Sequence, residues 1–353
     1  MSAPVIEEFR DFVRCYWPHA QPDLTSDWQA LSGDAGFRRY YRIGEAGSSS
    51  TVIAVDSPPE KERNLAYVQT SLLLAELGVR VPKILAVDFN RGYFVIEDLG
   101  DELLQYWLEN EDSEDGYQKA LEQLQRIQDC KSQPGFVPDY DREQLMTEMS
   151  LFVTWFVTKL LGTELDQGAS ERIQNLFEFL VQEALQQPRV LVHRDFHARN
   201  LMLLQNGDLA VIDFQDAIWG PITYDLVSLG RDCYLRWSPD RLDTFIDGCA
   251  DELLSSGKIT AEQRPKFRRW FDLMGLQRHI KVLGIFARLY LRDGKPGYLK
   301  DLPLVLRYTL EVMHQYEECN ELAEWISNEL IPLCEEHDWY QDWQAAGTET
   351  ELA

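Results

Sequence analysis

The apolar residues of this chain follow different periods in its first part and in the remainder. Phe9, Phe12, Val13 and Tyr16 share one helical face, so we expect an amphipathic helix at the start. Residues 28–55 have the pattern of a small β-sheet. The next predicted elements are a helix over 64–77 that ends at Gly78, and strands over 81–85 and 93–96. Beyond these strands the pattern is mostly helical.

One apolar stripe in the helical part predicts a helix that packs in the core rather than around a cofactor. Its members are Leu145, Met149, Phe152, Val153, Phe156 and Leu160. Residues 271–316 predict two further helices, separated near 293–297, and the tail from Ala345 is expected to be frayed. The chain has no internal repeat and no long low-complexity linker.

Three short apolar runs interrupt the helical pattern, at 190–192, 201–204 and 209–212. Asn206-Gly207 lies between the last two runs, and both residues tolerate positive φ. The pattern therefore predicts a β-hairpin, which would bring Asp213 back beside Asn200.

The polar residues around these runs carry the chemistry. His193, Asp195 and Asn200, followed by Asp213-Phe214, resemble the catalytic loop and metal-binding turn of the protein-kinase-like enzymes. The resemblance implies that Asp195 is the catalytic base, and that Asn200 and Asp213 hold magnesium against the phosphates of ATP.

Neighbouring residues have less certain roles. His193 is expected to support the loop, and Asp225 to brace it from the start of a helix. Arg194 and Arg199 are either phosphate contacts or structural residues. Asp216 either assists the metal, touches the acceptor, or caps a local turn.

Composition narrows the possible partners. A chain of 353 residues is long enough for two lobes, and 45% hydrophobic residues is ordinary for a globular protein. The net charge of −25 argues against nucleic acid and anionic membranes as partners. It suits a cationic substrate, or simply a soluble acidic protein. Six scattered cysteines without a C-x-x-C pair indicate reduced thiols. With no secretion signal and no membrane span in the pattern, we expect a cytoplasmic monomer.

A phosphate-binding loop and a hinge should accompany the catalytic loop. The candidate loop precedes a strand, and its small residues would let backbone N–H groups approach phosphates. Its residues are Gly33, Asp34, Ala35, Gly36, Phe37, Arg38 and Arg39. The hinge is expected at 96–100, where backbone groups near Glu97 and Leu99 would bind adenine. The alternative is that the side chains of Glu97 and Asp98 simply face solvent.

The strand after this loop departs from the kinase pattern. Residues 51–56 contain no lysine, although kinases place one at the end of this strand. Arg38, Arg39 or Arg42 could supply the missing charge, and Glu60 or Glu62 could be its acidic partner. The gap is the main argument for a degenerate kinase.

Narrower segments refine the resemblance. The catalytic loop and Asp213 are similar to those of the aminoglycoside phosphotransferase and choline kinase superfamily. Within it, the segments 33–40, 56–62, 213–217, 220–226 and 275–279 resemble the bacterial anomeric kinases of cell-wall sugar recycling. That family also lacks the strand lysine.

This resemblance implies a two-lobed α+β kinase-like fold, with an N-lobe over 1–98 and a C-lobe over 99–353. It implies that ATP and Mg²⁺ are used to phosphorylate the C1 hydroxyl of N-acetylmuramate and N-acetylglucosamine. The lactyl carboxylate of N-acetylmuramate needs a cation, and Arg278, His279 and Arg288 lie on one predicted helix. These three could equally be surface or core-bridging charges. Trp219 either stacks on the sugar or packs in the core.

Other functions remain open from the sequence. An aminoglycoside kinase suits the acidic charge, whereas choline, homoserine and fructosamine kinases are more distant. From another class, a pseudokinase would bind nucleotide without turnover, as the missing lysine suggests.

Overall fold

The computed structural model describes residues 7–16, 28–31, 36–44, 51–110, 113–131, 135–348 and 351–352. The chain divides into two compact units. The first comprises the described parts of 1–129 and 199–217, and the second those of 130–198 and 218–353. The described part of the segment 99–129 and the predicted hairpin therefore belong to the first unit, which also contains the β-sheet.

The first unit is built on a five-stranded antiparallel sheet of order β1-β2-β3-β5-β4. Its strands are β1 (Gln29–Leu31), β2 (Arg39–Gly44), β3 (Thr51–Asp56), β4 (Ile84–Asp88) and β5 (Tyr93–Glu97). The other described elements are α1 (Glu7–Tyr16), α2 (Asn64–Glu76), α3 (Leu104–Asn110) and α4 (Ser113–Gln128), with strands β7 (Leu201–Leu203) and β8 (Leu209–Val211).

Strand β3 shows why this sheet is covered on both faces. Val52 and Ala54 pack in one cluster with Phe9 of α1, whereas Ile53 and Val55 pack in another with Tyr67 of α2. Alternate residues of a strand point to opposite faces, so a strand buried on both sides reads as a continuous apolar run. The predicted helices α1 and α2 are confirmed. The predicted strand over 81–85 is displaced, since β4 begins at Ile84.

The second unit is mostly helical. Its helices are α5 (Arg142–Leu151), α6 (Gln167–Leu185), α7 (Tyr224–Gly230), α8 (Pro239–Ser255), α9 (Phe267–Leu291), α10 (Leu302–Met313), α11 (Asn320–Trp325) and α12 (Ile331–Glu335). Its strands are β6 (Arg189–Val192), β9 (Ile218–Pro221), β10 (Arg236–Trp237) and β11 (Glu351–Leu352). Short 3-10 or π-helical turns separate several helices, and α9 lies at the centre, against α5, α6, α7 and α10.

The predicted stripe over 145–160 is confirmed as core except at Val153, which is only partly buried, and it does not form one α-helix. After α5 the chain continues as a π-helix, Phe152–Leu160. Gly284 of α9 packs against the point where α5 gives way to the π-helix. A Cβ atom at Gly284 would lie 2.3 Å from the carbonyl carbon of Leu151. Only glycine allows backbones to approach this closely.

The predicted frayed tail is wrong for its described residues. Ala346 is buried, and its carbonyl accepts a 2.8 Å hydrogen bond from Arg307. Strand β11 pairs in parallel with β10. All six cysteines are free thiols, as predicted. Among the described residues, no helix combines the length and apolar character that crossing a membrane requires.

Candidate active site

The catalytic loop leaves strand β6, which pairs with β9 in the second unit. The buried carboxylate of Asp225, at the start of α7, accepts the N–H groups of His193 at 2.6 Å and Arg194 at 2.9 Å. The predicted bracing role of Asp225 is thus confirmed. Arg194 has φ of 79°, a left-handed conformation that non-glycine residues seldom adopt. Asp225 therefore fixes a strained backbone immediately before the candidate base.

The side chain of Arg194 is held by a second buried carboxylate, Glu148 of α5, with which it forms an ion pair. Lys281 of α9 lies 3.2 Å from the same carboxylate and donates to the hydroxyl of Tyr224 at 3.0 Å. Tyr140 also donates to Glu148. A buried carboxylate is tolerated when it is paired and hydrogen-bonded, as here. The role of Arg194 seen in this unit is therefore to anchor the loop.

Asp195 itself remains partly exposed. Desolvation would raise the pKa of its carboxyl, but the positive charges of Lys281, His197 and Arg194 outweigh it and hold the pKa below the usual range. The group is therefore ionised at neutral pH, as a proton acceptor must be.

Another carboxylate supports the loop after Asp195. Buried Asp232 accepts the N–H groups of Ala198 at 3.1 Å and Tyr234 at 3.0 Å. Sequence reasoning missed Asp232, Glu148 and Lys281. Glu148 and Lys281 could have been found from the sequence, because each is a charged residue at a position where the helical spacing places apolar residues.

The predicted acceptor residues in the second unit do not form one cluster. Arg278 is buried, donates to the thiol of Cys233 at 3.1 Å, and contributes its charge to the surroundings of Asp195. His279 faces elsewhere, stacked on Tyr308 with ring centres 4.9 Å apart. Burial and the nearby guanidinium of Arg278 keep the pKa of His279 well below its usual range, so the ring is neutral.

Arg288 and Trp219 have different surroundings. Arg288 forms no ion pair with any residue that the structure describes. Burial, then the charge of Arg292, lowers its pKa. Trp219 is partly exposed on β9, opposite Leu191.

The predicted metal ligands lie together in the first unit. Strands β7 and β8 form the predicted hairpin, with Leu201 opposite Val211, and Gly207 at its turn has φ of 83°. One residue beyond this register, the N–H of Ile212 donates to the carbonyl of Asn200 at 3.0 Å. The hairpin therefore places Asn200 beside the residue that precedes Asp213.

Asn200 and Asp213 fit a magnesium ion in their donor chemistry. Both offer oxygen atoms, which magnesium prefers, and a magnesium site usually takes its other ligands from water and phosphate. Asp213 has φ of 63°, and its carboxylate accepts from Gln215 at 2.7 Å. Among the described residues, no group of three or more His, Cys, Asp or Glu side chains is placed to hold a metal ion. Asp216 lies 3.4 Å from Arg63.

The candidate phosphate loop is described only from Gly36 onwards. Gly33, Asp34 and Ala35 lie outside the described residues. The N–H of Phe37 donates to Glu62 at 2.7 Å, and a Cβ atom at Gly36 would lie 3.2 Å from the same carboxylate. Arg39 forms an ion pair with Asp56 at the end of β3.

The hinge residues are more constrained than the sequence indicated. Glu97 accepts two hydrogen bonds from Arg80, at 2.6 and 2.9 Å, and Asp98 is bonded to Arg42. Neither side chain therefore simply faces solvent, which the sequence had left open. The N–H of Glu97 already donates to the carbonyl of Lys83 at 2.9 Å. The N–H of Leu99 has no partner in the described part of the chain, so it is the available hinge donor.

Fold and loop chemistry together define a phosphotransferase of the kinase-like class. The chain belongs to the phosphotransferase enzyme family, which matches residues 27–258. It is 38% identical to an N-acetylmuramate/N-acetylglucosamine kinase of Neisseria meningitidis serogroup B, over 88% of this chain and 92% of that protein. A kinase of the same name from Pseudomonas aeruginosa is also 38% identical, over 90% of this chain and 92% of its own.

Solved structures show the same fold at low sequence identity. An ethanolamine kinase of Plasmodium vivax matches with a TM-score of 0.61 and 14% identity, over 87% of this chain and 95% of that chain. The aminoglycoside phosphotransferase APH(2″)-IIa, in a ternary complex with streptomycin and ATP, matches with a TM-score of 0.56 and 14% identity, over 87% and 97%. The expected two-lobed kinase-like fold is confirmed.

Proposed function

We propose that this protein transfers the γ-phosphoryl group of ATP to the anomeric hydroxyl of N-acetylmuramate and N-acetylglucosamine. The observation that carries the proposal is the bracing of Asp195. Its preceding peptide is fixed by Asp225, and neighbouring cations keep its carboxylate ionised. Relatives that are 38% identical over most of their length are kinases of these two sugars, which supports the acceptor.

Phosphoryl transfer from ATP requires positioning and charge stabilisation from the protein rather than covalent catalysis. Asp195 would orient the acceptor hydroxyl and receive its proton as the bond to phosphorus forms. An anomeric hydroxyl is more acidic than an ordinary alcohol, so a carboxylate of low pKa suffices as its partner. Asn200 and Asp213 would hold magnesium, which neutralises charge on the transferring phosphoryl group when bound. Leu99 would hold adenine through its N–H.

Phosphate binding would begin at the loop before β2. Gly33, Asp34 and Ala35 stay predicted phosphate contacts, together with the small residue Gly36. Phe37 stays one too, although its N–H already donates to Glu62. Arg39 stays a predicted contact as well, although its guanidinium already pairs with Asp56.

The carboxylate of N-acetylmuramate requires a cation that is not already neutralised. Arg288 meets this condition, since it lacks an ion-pair partner among the described residues. Arg278 is the second candidate because its charge already reaches Asp195. Arg288→Met and Arg278→Met should each be assayed with both sugars. The acceptor contact is the variant that loses kcat/KM for N-acetylmuramate and keeps it for N-acetylglucosamine. His279 would then support the helix, while Asp216 and Trp219 stay candidate sugar contacts.

The proposal is tested by measuring ADP release with magnesium-ATP and a panel of acceptors. The panel contains N-acetylmuramate, N-acetylglucosamine, kanamycin, choline and homoserine, with Asp195→Asn as the matched control. Turnover with the two amino sugars, absent in the control, is the expected result. Turnover with kanamycin alone would move the protein to the aminoglycoside kinases, which the net charge of −25 would suit. Nucleotide binding without turnover on any acceptor would favour a pseudokinase.

We also propose that the protein acts as a cytoplasmic monomer on small molecules, without nucleic-acid or membrane partners. Its six free thiols and its negative charge support this.

A further inference from the structure

The strand that lacks a lysine has an arginine beside its end. Strand β3 pairs with β2 so that Asp56 lies opposite Arg39. Arg38 lies one residue outside this register, and its Nε donates to the hydroxyl of Ser57 at 3.2 Å. A guanidinium from the neighbouring strand therefore reaches the position where kinases present a lysine on β3.

Arg38 is held rigidly in this place. Its side chain is 7% exposed and lies over the ring of Tyr67 at 5.1 Å. Ser57 is itself fixed, because it donates to Asn64 at 2.5 Å and its carbonyl accepts from the same amide at 2.8 Å. Glu62 faces the guanidinium with a side chain that is 12% exposed. A buried arginine with an acidic neighbour loses little conformational freedom when it binds a further anion.

One donor of this guanidinium is unsatisfied. The Nη2 atom of Arg38 lies 3.4 Å from Glu62, within ion-pair distance but without hydrogen-bond alignment. No acceptor among the described residues forms an aligned hydrogen bond with this buried atom. A buried donor without an acceptor is costly and needs an explanation. A ligand with several oxygen acceptors would supply one.

The surroundings indicate what that ligand is. Tyr67 stacks on Phe214, with ring centres 5.0 Å apart, and Phe214 directly follows the metal ligand Asp213. Burial raises the pKa of the Tyr40 hydroxyl most; the charge of Arg38 and a hydrogen bond with Arg38 lower that pKa, and the charge of Asp213 raises it. Arg38 and the proposed metal ligand therefore share one neighbourhood of the first unit.

The other two candidate arginines already form ion pairs with carboxylates. Arg39 pairs with Asp56, and Arg42 bonds to Asp98 at 2.6 Å and to Asp101 at 2.8 Å. Glu62 contacts both the loop and Arg38. It accepts a hydrogen bond from the N–H of Phe37 at 2.7 Å, in addition to its ion pair with Arg38. One carboxylate thus ties the phosphate loop to the arginine.

We propose that Arg38 binds the phosphates of the nucleotide in place of the missing strand lysine, with Glu62 as its anchor. The inference rests on the proposed use of ATP, but not on the identity of the acceptor. A guanidinium suits this role because it offers parallel N–H groups to phosphate oxygens. Glu62 keeps the guanidinium in place without using its Nη2 donor in an aligned bond.

The test compares nucleotides that differ in their phosphates. Calorimetric titration of the full chain would measure the affinity of magnesium-ATP and of adenosine for wild type, Arg38→Met and Glu62→Gln. Arg38→Met should weaken ATP roughly 10- to 100-fold, the range for lost hydrogen bonds to charged groups, and leave adenosine within about 2-fold. Glu62→Gln keeps the arginine but loosens it, so its ATP affinity should fall about 2- to 10-fold. Arg142→Met is the matched control, since this exposed arginine pairs with Glu178 in the second unit.

Two results would overturn the inference. In the first, Arg38→Met binds ATP as tightly as wild type. In the second, ATP and adenosine lose the same factor, which would indicate a structural role. An unchanged Glu62→Gln would contradict the anchor, and this variant also tests the pair if Arg38→Met does not fold. The readout needs no acceptor, so a wild type that binds ATP but phosphorylates neither sugar would refute the proposed function alone.

Discussion

The backbone N–H of Arg194 donates a 2.9 Å hydrogen bond to the buried carboxylate of Asp225, although Arg194 has φ of 79°. The bond stabilises a conformation that costs a non-glycine residue of order 1–3 kcal/mol. The strained peptide directly precedes Asp195. The catalytic loop is therefore shaped by a helix that starts thirty residues later in the chain, and its stability depends on a carboxyl whose ionisation is itself perturbed.

The first prediction concerns the stability of the Asp225→Asn variant. Burial raises the pKa of Asp225 to about 7, despite the two N–H bonds that lower it. In the unfolded chain the pKa of this carboxyl would be about 3.9. A raised folded pKa contributes stability that is present below the unfolded pKa and lost as pH rises through the folded pKa. The stability advantage of wild type over Asp225→Asn should thus shrink by at most about 4 kcal/mol between about pH 4 and pH 7.5. Urea unfolding at both pH values measures this, and a pH-independent difference would contradict it.

The second prediction separates catalysis from binding. Asp195→Asn keeps the size of the side chain but cannot accept a proton. We expect kcat to fall by roughly 10²- to 10⁴-fold with little change in nucleotide affinity. Steady-state kinetics and calorimetry on the same preparation check both parts. Retained turnover would show that another group is the base.

The third prediction follows from the charge of Lys281. Desolvation raises the pKa of Asp195, and the ammonium of Lys281 is the leading cause that lowers it. In Lys281→Met this attraction is lost, so the pKa of Asp195 should rise and the acidic limb of the kcat/KM profile should move to higher pH. The exposed Lys266, on a 3-10 helix before α9, provides the control variant Lys266→Met. An unshifted acidic limb in Lys281→Met would refute the assignment of that limb to Asp195.

The fourth prediction concerns packing at the π-helix. In Gly284→Ala the new Cβ would meet backbone atoms of Leu151 at 2.3 and 2.5 Å, which cannot move aside as a side chain can. We expect a loss of about 1–3 kcal/mol in the free energy of unfolding, or more. Gly248→Ala in α8 is the matched control, because its Cβ would meet nothing within 4 Å. That variant should be neutral or stabilised by roughly 0.5–1 kcal/mol. Equal denaturation midpoints for the two variants would rule out the close contact.

Local patterns predicted the elements whose cause is local. Asn206-Gly207 between two apolar runs predicted the β7–β8 hairpin because the turn needs residues that tolerate positive φ. The same hairpin places Asn200 beside the residue that precedes Asp213, as the pattern indicated, whereas the roles of Asp195, Asn200 and Asp213 stay predictions.

The parts that the sequence did not predict depend on partners distant in the chain. Glu148 precedes Arg194 by 46 residues and Lys281 follows Tyr224 by 57, so the sequence does not show which residues these two charged side chains pair with. A buried charged pair has the same residue types as an exposed one, and only the fold distinguishes them. The same applies to Glu97 and Asp98, which pair with arginines of other segments instead of facing solvent.

Phosphorus NMR of the product distinguishes transfer to the anomeric hydroxyl from transfer to any other hydroxyl of the sugar. N-acetylmuramate incubated with the protein and magnesium-ATP should give a phosphomonoester whose phosphorus couples to the anomeric proton of the sugar. A product whose phosphorus couples to any other sugar proton, or the release of inorganic phosphate alone, would contradict the account.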